Sequence, residues 1–319
     1  FRADAEYFFP ASSMKMPIAL ALYDRFGALR PAQPGLVRDA TMRIHPVSGA
    51  GEPYVTTLAR ETWRALIVSD NASANRLLSI VGHRELHETL WGLGLPSVRV
   101  HTGFSTGGDI DPAEVSPRVE LAGPAGPAEL GARRSDLVLP PTSAPGLDIG
   151  KARIENGRRV EGPLSFAAKN AIRMRDLQDT LVRIMRPELL GSSSKDTASR
   201  DDLEYLRQAL GTLPSESGLA GFARNVVADY NYVPFLRGIE RVRPRGKFRV
   251  YTKVGQAYGF VVSNAYVVDV ETERAFFLVA AVYANPDDTL NDDVYAYDTV
   301  ALPALADVAE VITRDAFGK

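Results

Sequence analysis

From Lys15 onward the apolar residues Ile18, Ala19, Leu22 and Phe26 recur every three or four positions, the spacing of one face of an α-helix. Pro17 falls in the first turns, where a missing backbone N–H is tolerated, although it is in tension with the helix. Residues 30–56 are rich in Pro, Gly and Thr and read as loop. Leu58, Trp63, Leu66 and Ile67 predict a helix that runs into Ser69-Asp70-Asn71. A second follows through Leu77, Leu78 and Ile80 and closes at Gly82; a third, Glu85 to Trp91, is stopped by Gly92 and Gly94. Between about Val98 and Val160 the pattern breaks. Gly123-Pro124-Ala125-Gly126-Pro127 and Pro140 to Gly146 are not expected in regular elements, so this stretch reads as functional, mobile or an insertion with short strands of its own. Met174, Leu177, Leu181, Ile184 and Met185 restore a helix, ended by Pro187, and Leu203, Leu206 and Leu210 give another.

In the last quarter the period changes from helical to alternating. Phe248 to Lys253, Gly259 to Val270 and Ala275 to Ala284 read as strands, the last two joined as a hairpin through Glu271–Arg274. Thr299 to Phe317 closes the chain as an amphipathic helix with Leu302, Leu305, Ala309 and Ile312 on one face. No internal repeat is evident. The pattern predicts helices in the middle and an antiparallel sheet with a packed helix at the end: a helical subdomain beside an α/β one.

The 319 residues, 45% hydrophobic and 24% charged, suffice for one large domain or two intimate ones. Lys plus Arg number 37 and Asp plus Glu 39, a balance that gives no electrostatic reason to expect nucleic acid or an anionic membrane. No apolar run is long enough to span a bilayer. With no cysteine, disulfides, thiolate zinc sites and cysteine nucleophiles are excluded.

Candidate chemistry begins with Ser12-Ser13-Met14-Lys15. A serine hydroxyl is a poor nucleophile without a base beside it, and helical residues i and i+3 share a face. Ser12 and Lys15 can therefore meet, and a desolvated lysine can lose its proton and serve as that base. Taken alone, the pattern is more often a capped, solvated helix start than a catalytic dyad. Ser69-Asp70-Asn71, taken alone, is a turn between helices, and Lys253-Val254-Gly255 an edge-strand lysine with a glycine bulge.

In the order S-x-x-K, S-D-N, K-x-G, the three motifs resemble the set of class A β-lactamases and penicillin-binding proteins. The flanks extend the likeness: Phe9 to Ile18 resembles the active-site helix start, Leu66 to Leu78 with Gly92-Leu93-Gly94-Leu95-Pro96 the central helices, and Lys253 to Phe260 the strand beside the site. Gly162 to Asn170, Leu213 to Ser217 and Asn291 to Asp298 are similar to poorly characterised serine hydrolases related to class A enzymes. The resemblance covers most of the chain outside about 100–160. It implies an α/β (α+β) fold, a three-layer αβα arrangement of antiparallel sheet and helices beside an all-helical subdomain. Residues 1–15 and 245–319 would form the α/β subdomain and 16–244 the helical one, with the active site between them. The family's sheet uses two strands and a helix upstream of S-x-x-K, and the full-length product is expected to begin with them.

The resemblance also implies roles. Ser12 would be the acylated nucleophile and Lys15 its base; Ser69 would relay a proton to the leaving nitrogen; Asn71 would hold the substrate's amide side chain and orient Lys15. Lys253, beside Gly255, would attract a carboxylate. Backbone N–H groups of Ser12 and Gln256 would form the oxyanion hole, such donors contributing about 3 kcal/mol each to the transition state. The third motif departs from the family: Val254 and Gln256 stand where hydroxyl residues are usual, and no arginine lies near Ser263 to clamp an anion. The family's deacylating glutamate sits in an E-x-x-L-N loop. The nearest match is Glu161-Gly162-Pro163-Leu164-Ser165, and Asn75 resembles the asparagine that steadies that glutamate. The alternative for Glu161, a solvated loop carboxylate after Arg158 and Arg159, is the commoner situation.

Other motifs are weaker. Gly103-Phe104-Ser105-Thr106-Gly107 matches G-x-S-x-G, but Gly108 to Pro112 is no helix and no histidine follows His101. His83 and His87 have a spacing that can bind zinc, but the glutamate is misplaced, and a solvated helix face is expected. Gly146 to Lys151 lacks phosphate-loop spacing. Tyr295, Tyr297 and Trp91 read as packing residues. The expectation is an exported, periplasmic or extracellular serine acyl hydrolase that needs no metal or cofactor. It would attack a β-lactam or a peptidoglycan-like amide through acyl-Ser12. A D-alanyl peptidase or esterase, a penicillin-binding sensor that stays acylated, and a pseudo-enzyme are the alternatives.

Overall fold

The computed structural model describes residue 3 and residues 6–105, 115–190 and 196–318. The chain forms two compact units. One comprises Phe1–Met14, Pro140–Leu181 and Leu210–Lys319, the other Lys15–Leu139 and Val182–Ala209.

The first unit is built on the alternating segments of the last quarter. Strands Phe248–Ala257, Phe260–Asp269 and Ala275–Tyr283 form an antiparallel sheet in that order. Gly255 pairs with Val262 and Gln256 with Val261. The helices Leu236–Glu240 and Leu302–Phe317 cover one face, burying Phe235, Ile239, Val250, Val261 and Leu305 in a common core. Gly238 permits this approach, since a Cβ there would lie 1.8 Å from the Ala306 carbonyl oxygen. On the other face Asn264 Nδ2 donates to the Leu177 carbonyl in the helix Met174–Met185 (2.7 Å), and the 3-10 turn Ala11–Met14 lies against the first strand. The expected layers of helix, sheet and helix are therefore present within this unit. A small hairpin, Ala152–Glu155 with Arg158–Glu161, pairs in parallel with Thr289–Leu290.

The second unit holds the helices Lys15–Leu29, Leu58–Ile67, Asn71–Val81 and His83–Gly92. It is not all-helical. Tyr54–Thr56, Thr41–Ile44, Val119–Gly123 and Gly126–Leu130 form a four-stranded antiparallel sheet in that order. Residues 30–56, expected as loop, contribute two of its strands: Met42 and Ile44 alternate with exposed Thr41 and Arg43, a period-two signal too short to stand out. Gly123 to Pro127 is the bend of a hairpin, and Pro127 is accommodated because its strand is at the edge.

The division along the chain also differs from the expected one. Residues 140–181 and 210–244 belong with the sheet unit. The former supply the hairpin that pairs with Thr289–Leu290, the latter the helix Leu236–Glu240 that roofs the sheet. No helix among the described residues is long and apolar enough to cross a membrane.

Candidate active site

In the second unit the amine of Lys15 is the organising group. Lys15 opens the helix Lys15–Leu29 and has no solvent exposure. Its Nζ donates to the Ser69 carbonyl oxygen, to Asn71 Oδ1 at 2.6 Å and to Ser69 Oγ at 3.1 Å. The Phe104 ring lies 4.8 Å from it, centroid to nitrogen. Burial drives the amine from its ordinary value of 10.5 down to about 7, against the opposing charge of Asp70. No carboxylate touches Lys15 among the described residues.

The sequence around Ser69 produces this cage. Ser69 adopts φ +57°, a left-handed conformation that breaks the helix ending near Ile67 and lets Ser69 present both its carbonyl and its hydroxyl to Lys15. Asp70 then caps the helix Asn71–Val81, its Oδ1 accepting from Ser73 N at 2.7 Å and its Oδ2 from Arg64 Nη2 at 3.0 Å. Burial alone would raise the Asp70 carboxyl; the Ser73 N–H and the Arg64 guanidinium outweigh it and hold the group below the usual range.

The carbonyl of Ser69 and the amide oxygen of Asn71 can only accept, so they claim two of the amine's hydrogens. The Ser69 hydroxyl can donate or accept. Proton exchange at Lys15 is thereby directed to the Lys15–Ser69 contact.

Asn71 and Asn75, one turn apart, together hold the segment that carries Phe104. Asn71 Nδ2 donates to the Ser105 carbonyl at 3.0 Å. Asn75 Nδ2 donates to the Phe104 carbonyl and Asn75 Oδ1 accepts from Phe104 N, both at 2.7 Å. The residue in the grip of Asn75 is thus a phenylalanine.

Further upstream the segment is held by two histidines, which are buried rather than on the expected solvated helix face. His87 Nδ1 donates to the His83 carbonyl (2.7 Å), its Nε2 accepts from Val100 N (3.0 Å), and His83 Nε2 lies 3.1 Å from the Val100 carbonyl oxygen. Burial lowers His87 to about 4, so it is neutral near pH 7 and this tautomer is fixed. Sequence reasoning missed the role of Phe104 and of these histidines. The one available signal was their placement on either side of the broken pattern after Val98.

In the first unit, Ala11 takes φ +45° and starts the turn Ala11–Met14; Ser13 N and Ser13 Oγ both donate to the Pro10 carbonyl, at 3.0 and 2.6 Å. Ser12 is partly exposed between buried Ala11 and Ser13. Gly255 brings its strand against this turn: a Cβ there would lie 2.1 Å from Pro10 O, 2.8 Å from Ser13 N and 3.1 Å from Ser12 N. Only glycine permits that approach. Lys253, on the same strand, is buried, with Nζ donating to the Val254 carbonyl at 2.8 Å. Val254 is packed into the core under the helices, and Gln256 is exposed.

The contacts described for Lys15 do not include Glu161. Glu161 ends the strand Arg158–Glu161, its side chain is 76% exposed, and Arg159 Nε holds its Oε1 at 2.8 Å. That is the environment of a surface ion pair. Thr106 to Pro112, which complete the G-x-S-x-G match and its continuation, lie outside the described residues.

Against known structures, the chain is similar to a class A β-lactamase from Bacteroides cellulosilyticus DSM 14838 (11% identity, 97% of this chain and 84% of that one, TM-score 0.51). It is similar to the TLA-3 extended-spectrum β-lactamase (12% identity, 98% and 86%, TM-score 0.51) and to a β-lactamase from Streptosporangium roseum (18% identity, 98% and 86%, TM-score 0.50). At such identities the likeness establishes the fold. No protein with a curated description matches the sequence. The model of the Beta-lactamase enzyme family matches residues 2–200, more than half of the chain and including S-x-x-K and S-D-N. The chain therefore belongs to the Beta-lactamase enzyme family, a family of hydrolases.

Proposed function

We propose that the protein is an active-site-serine acyl hydrolase that takes a β-lactam or a related amide or ester through an acyl-Ser12 intermediate. Ser12 attacks the carbonyl carbon, and Lys15, one helical turn on in the sequence, receives the hydroxyl proton. The tetrahedral oxyanion is met by the backbone N–H groups of Ser12 and Gln256. Ser69 passes the proton from Lys15 to the leaving nitrogen as the C–N bond breaks. Asn71 serves the amide of the acyl part and Lys253 a carboxylate on the leaving part. The observation that carries this reading is the Lys15 amine, buried, held by Ser69 and Asn71 and brought to about 7. A base poised near the working pH is what activation of an alcohol requires.

Release of the acyl group is the slower step in this reading. Asn75, which resembles the asparagine that steadies the family's water-activating glutamate, grips Phe104, a residue with no carboxylate. The site needs no metal or cofactor, and by family resemblance the protein acts outside the cytoplasm. The test is intact-mass spectrometry after incubation with a penicillin and with a cephalosporin. A stoichiometric adduct on Ser12, absent from Ser12→Ala and decaying over minutes to hours, is expected. Unmodified protein together with unconsumed β-lactam would remove the β-lactam part of the reading, and an adduct on another residue would remove Ser12.

A further inference from the structure

Lys169 lies in the same unit as Ser12 and has no part in the chemistry above. Its Nζ sits 4.8 Å from the centroid of the Tyr258 ring and 5.6 Å from that of Phe166, and it donates to Tyr258 Oη at 3.3 Å. Lys151 and Lys247 each pair with a carboxylate, Asp288 and Glu271; Lys169 meets none among the described residues. Ring faces hold an ammonium in place without neutralising it, and leave N–H donors pointing outward.

Tyr258 is itself an anomaly. The hairpin turn Tyr258-Gly259 has φ +53° and +81°, the combination that Asn-Gly satisfies best. A bulky residue in that conformation costs stability and marks a position where the side chain is used. Tyr258 is wedged edge-on between Phe9 (5.1 Å) and Phe166 (5.3 Å), and Phe9 is three residues before Ser12.

The strand fixes which part of a substrate would meet Lys169. Gly255 lies against Ser12 N. At about 3.3 Å per residue, Lys253 is roughly 7 Å to one side of it and Tyr258 roughly 10 Å to the other. With Lys253 taking a carboxylate on the leaving part, as proposed above, Tyr258 and Lys169 on the other side of Gly255 lie toward the acyl group. We infer that Lys169, seated on Tyr258 and Phe166, receives a carboxylate carried on the acyl part of the substrate, the part that remains on Ser12. The proposal rests on the reading of Ser12 as nucleophile, and it names the substrate class: acyl donors with an acidic acyl chain.

Two chromogenic esters of equal acyl length test it, p-nitrophenyl pentanoate and mono-p-nitrophenyl glutarate, which share a neutral leaving group. The wild type should acylate with the glutarate at least tenfold more efficiently in kcat/KM, with the advantage falling as salt is added. Lys169→Gln should abolish the preference and leave the pentanoate unchanged; Lys169→Arg should retain most of it. Equal efficiency for the two esters in the wild type, or a preference untouched in Lys169→Gln, overturns the proposal. So does failure of both esters to react with a protein whose Ser12 is labelled by a serine-directed phosphonate, which leaves the nucleophile intact. Undiminished ester hydrolysis by Ser12→Ala overturns the nucleophile reading and the proposal with it.

Discussion

Asn75 binds the backbone of Phe104 at both its N–H and its carbonyl, each at 2.7 Å, and the same phenylalanine lays its ring 4.8 Å from the Lys15 amine. An amide that satisfies both polar groups of one residue fixes that residue's position more firmly than either bond alone. The side chain chosen for that position therefore decides what stands beside Lys15.

A carboxylate placed there should change the fate of the acyl-enzyme. Phe104→Glu is expected to release acyl groups at least about tenfold faster, since general-base assistance to water contributes about 10²–10⁴-fold when well positioned. It should also move the acid limb of acylation to higher pH by placing a negative charge near Lys15. Phe104→Leu, which removes the ring without adding a base, should release slowly. Stopped-flow measurement of burst and steady state separates the steps, and equal release rates in the two variants would defeat the argument.

Acylation itself should follow the neutral fraction of Lys15. The amine is lowered to about 7, so the rate should rise with pH through that value and level off above it. Lys15→Met should lose about 10²–10⁴-fold at every pH. Ser69→Ala, which removes the reversible hydroxyl but leaves the carbonyl contact, should lose less and keep the same rising limb. Labelling rates with a chromogenic cephalosporin across pH 5–9 check this, and a flat profile would contradict the assigned base.

How much of this was legible follows residue by residue. The strands after Phe248 and the helix from Lys15 announce themselves as long apolar runs, although Phe260–Asp269 is buried on both faces and the helix is buried on every side from Lys15 to Asp24. Ser69, Asn71 and Gly255 were legible as members of ordered motifs. The sheet containing Thr41–Ile44 was not: its strands are three to five residues long, and Thr41–Ile44 pairs with Val119–Gly123 some 75 to 81 positions away, which local pattern does not record. Phe104 was hidden for a related reason. Its position is set by Asn75, 29 residues earlier, and an aromatic residue in a loop reads as packing. Glu161 was suggested by a local string, but it pairs at the surface with Arg159, two residues earlier on the same strand.

Gly255 should tolerate no side chain. The nearest atoms to a Cβ are all backbone, Pro10 O, Ser13 N and Ser12 N, so relief requires moving the turn that bears Ser12. Gly255→Ala is expected to cost about 1–3 kcal/mol of stability, in the range of overpacking, and to reduce acylation of Ser12 by much more than that loss of folded protein explains. Thermal unfolding and phosphonate labelling of the folded fraction measure the two effects, and a variant that labels at the wild-type rate would show that the close approach is not needed.

His87 makes the Lys15 unit sensitive to acid. Its side chain is wholly buried, donates to the His83 carbonyl and accepts from Val100 N, and faces His83, Arg99 and His101, whose charges oppose protonation. Its value falls from 6.5 to about 4 on folding, chiefly by burial. The unfolded chain therefore binds the proton more tightly, and the stability that neutral His87 provides is complete above about pH 6.5 and lost as pH falls toward 4. The shift corresponds to about 3 kcal/mol. His87→Gln can donate to His83 and accept from Val100 without titrating, so it should flatten the fall in stability between pH 6.5 and 4 while leaving the neutral-pH value within about 1 kcal/mol. Because Val100 leads to Phe104, acid should loosen the segment beside Lys15 before the unit unfolds. Urea unfolding at pH 4.5 and 7, read with amide exchange at Val100 and Phe104, tests both statements; an unchanged pH slope in His87→Gln would assign the acid sensitivity to other groups.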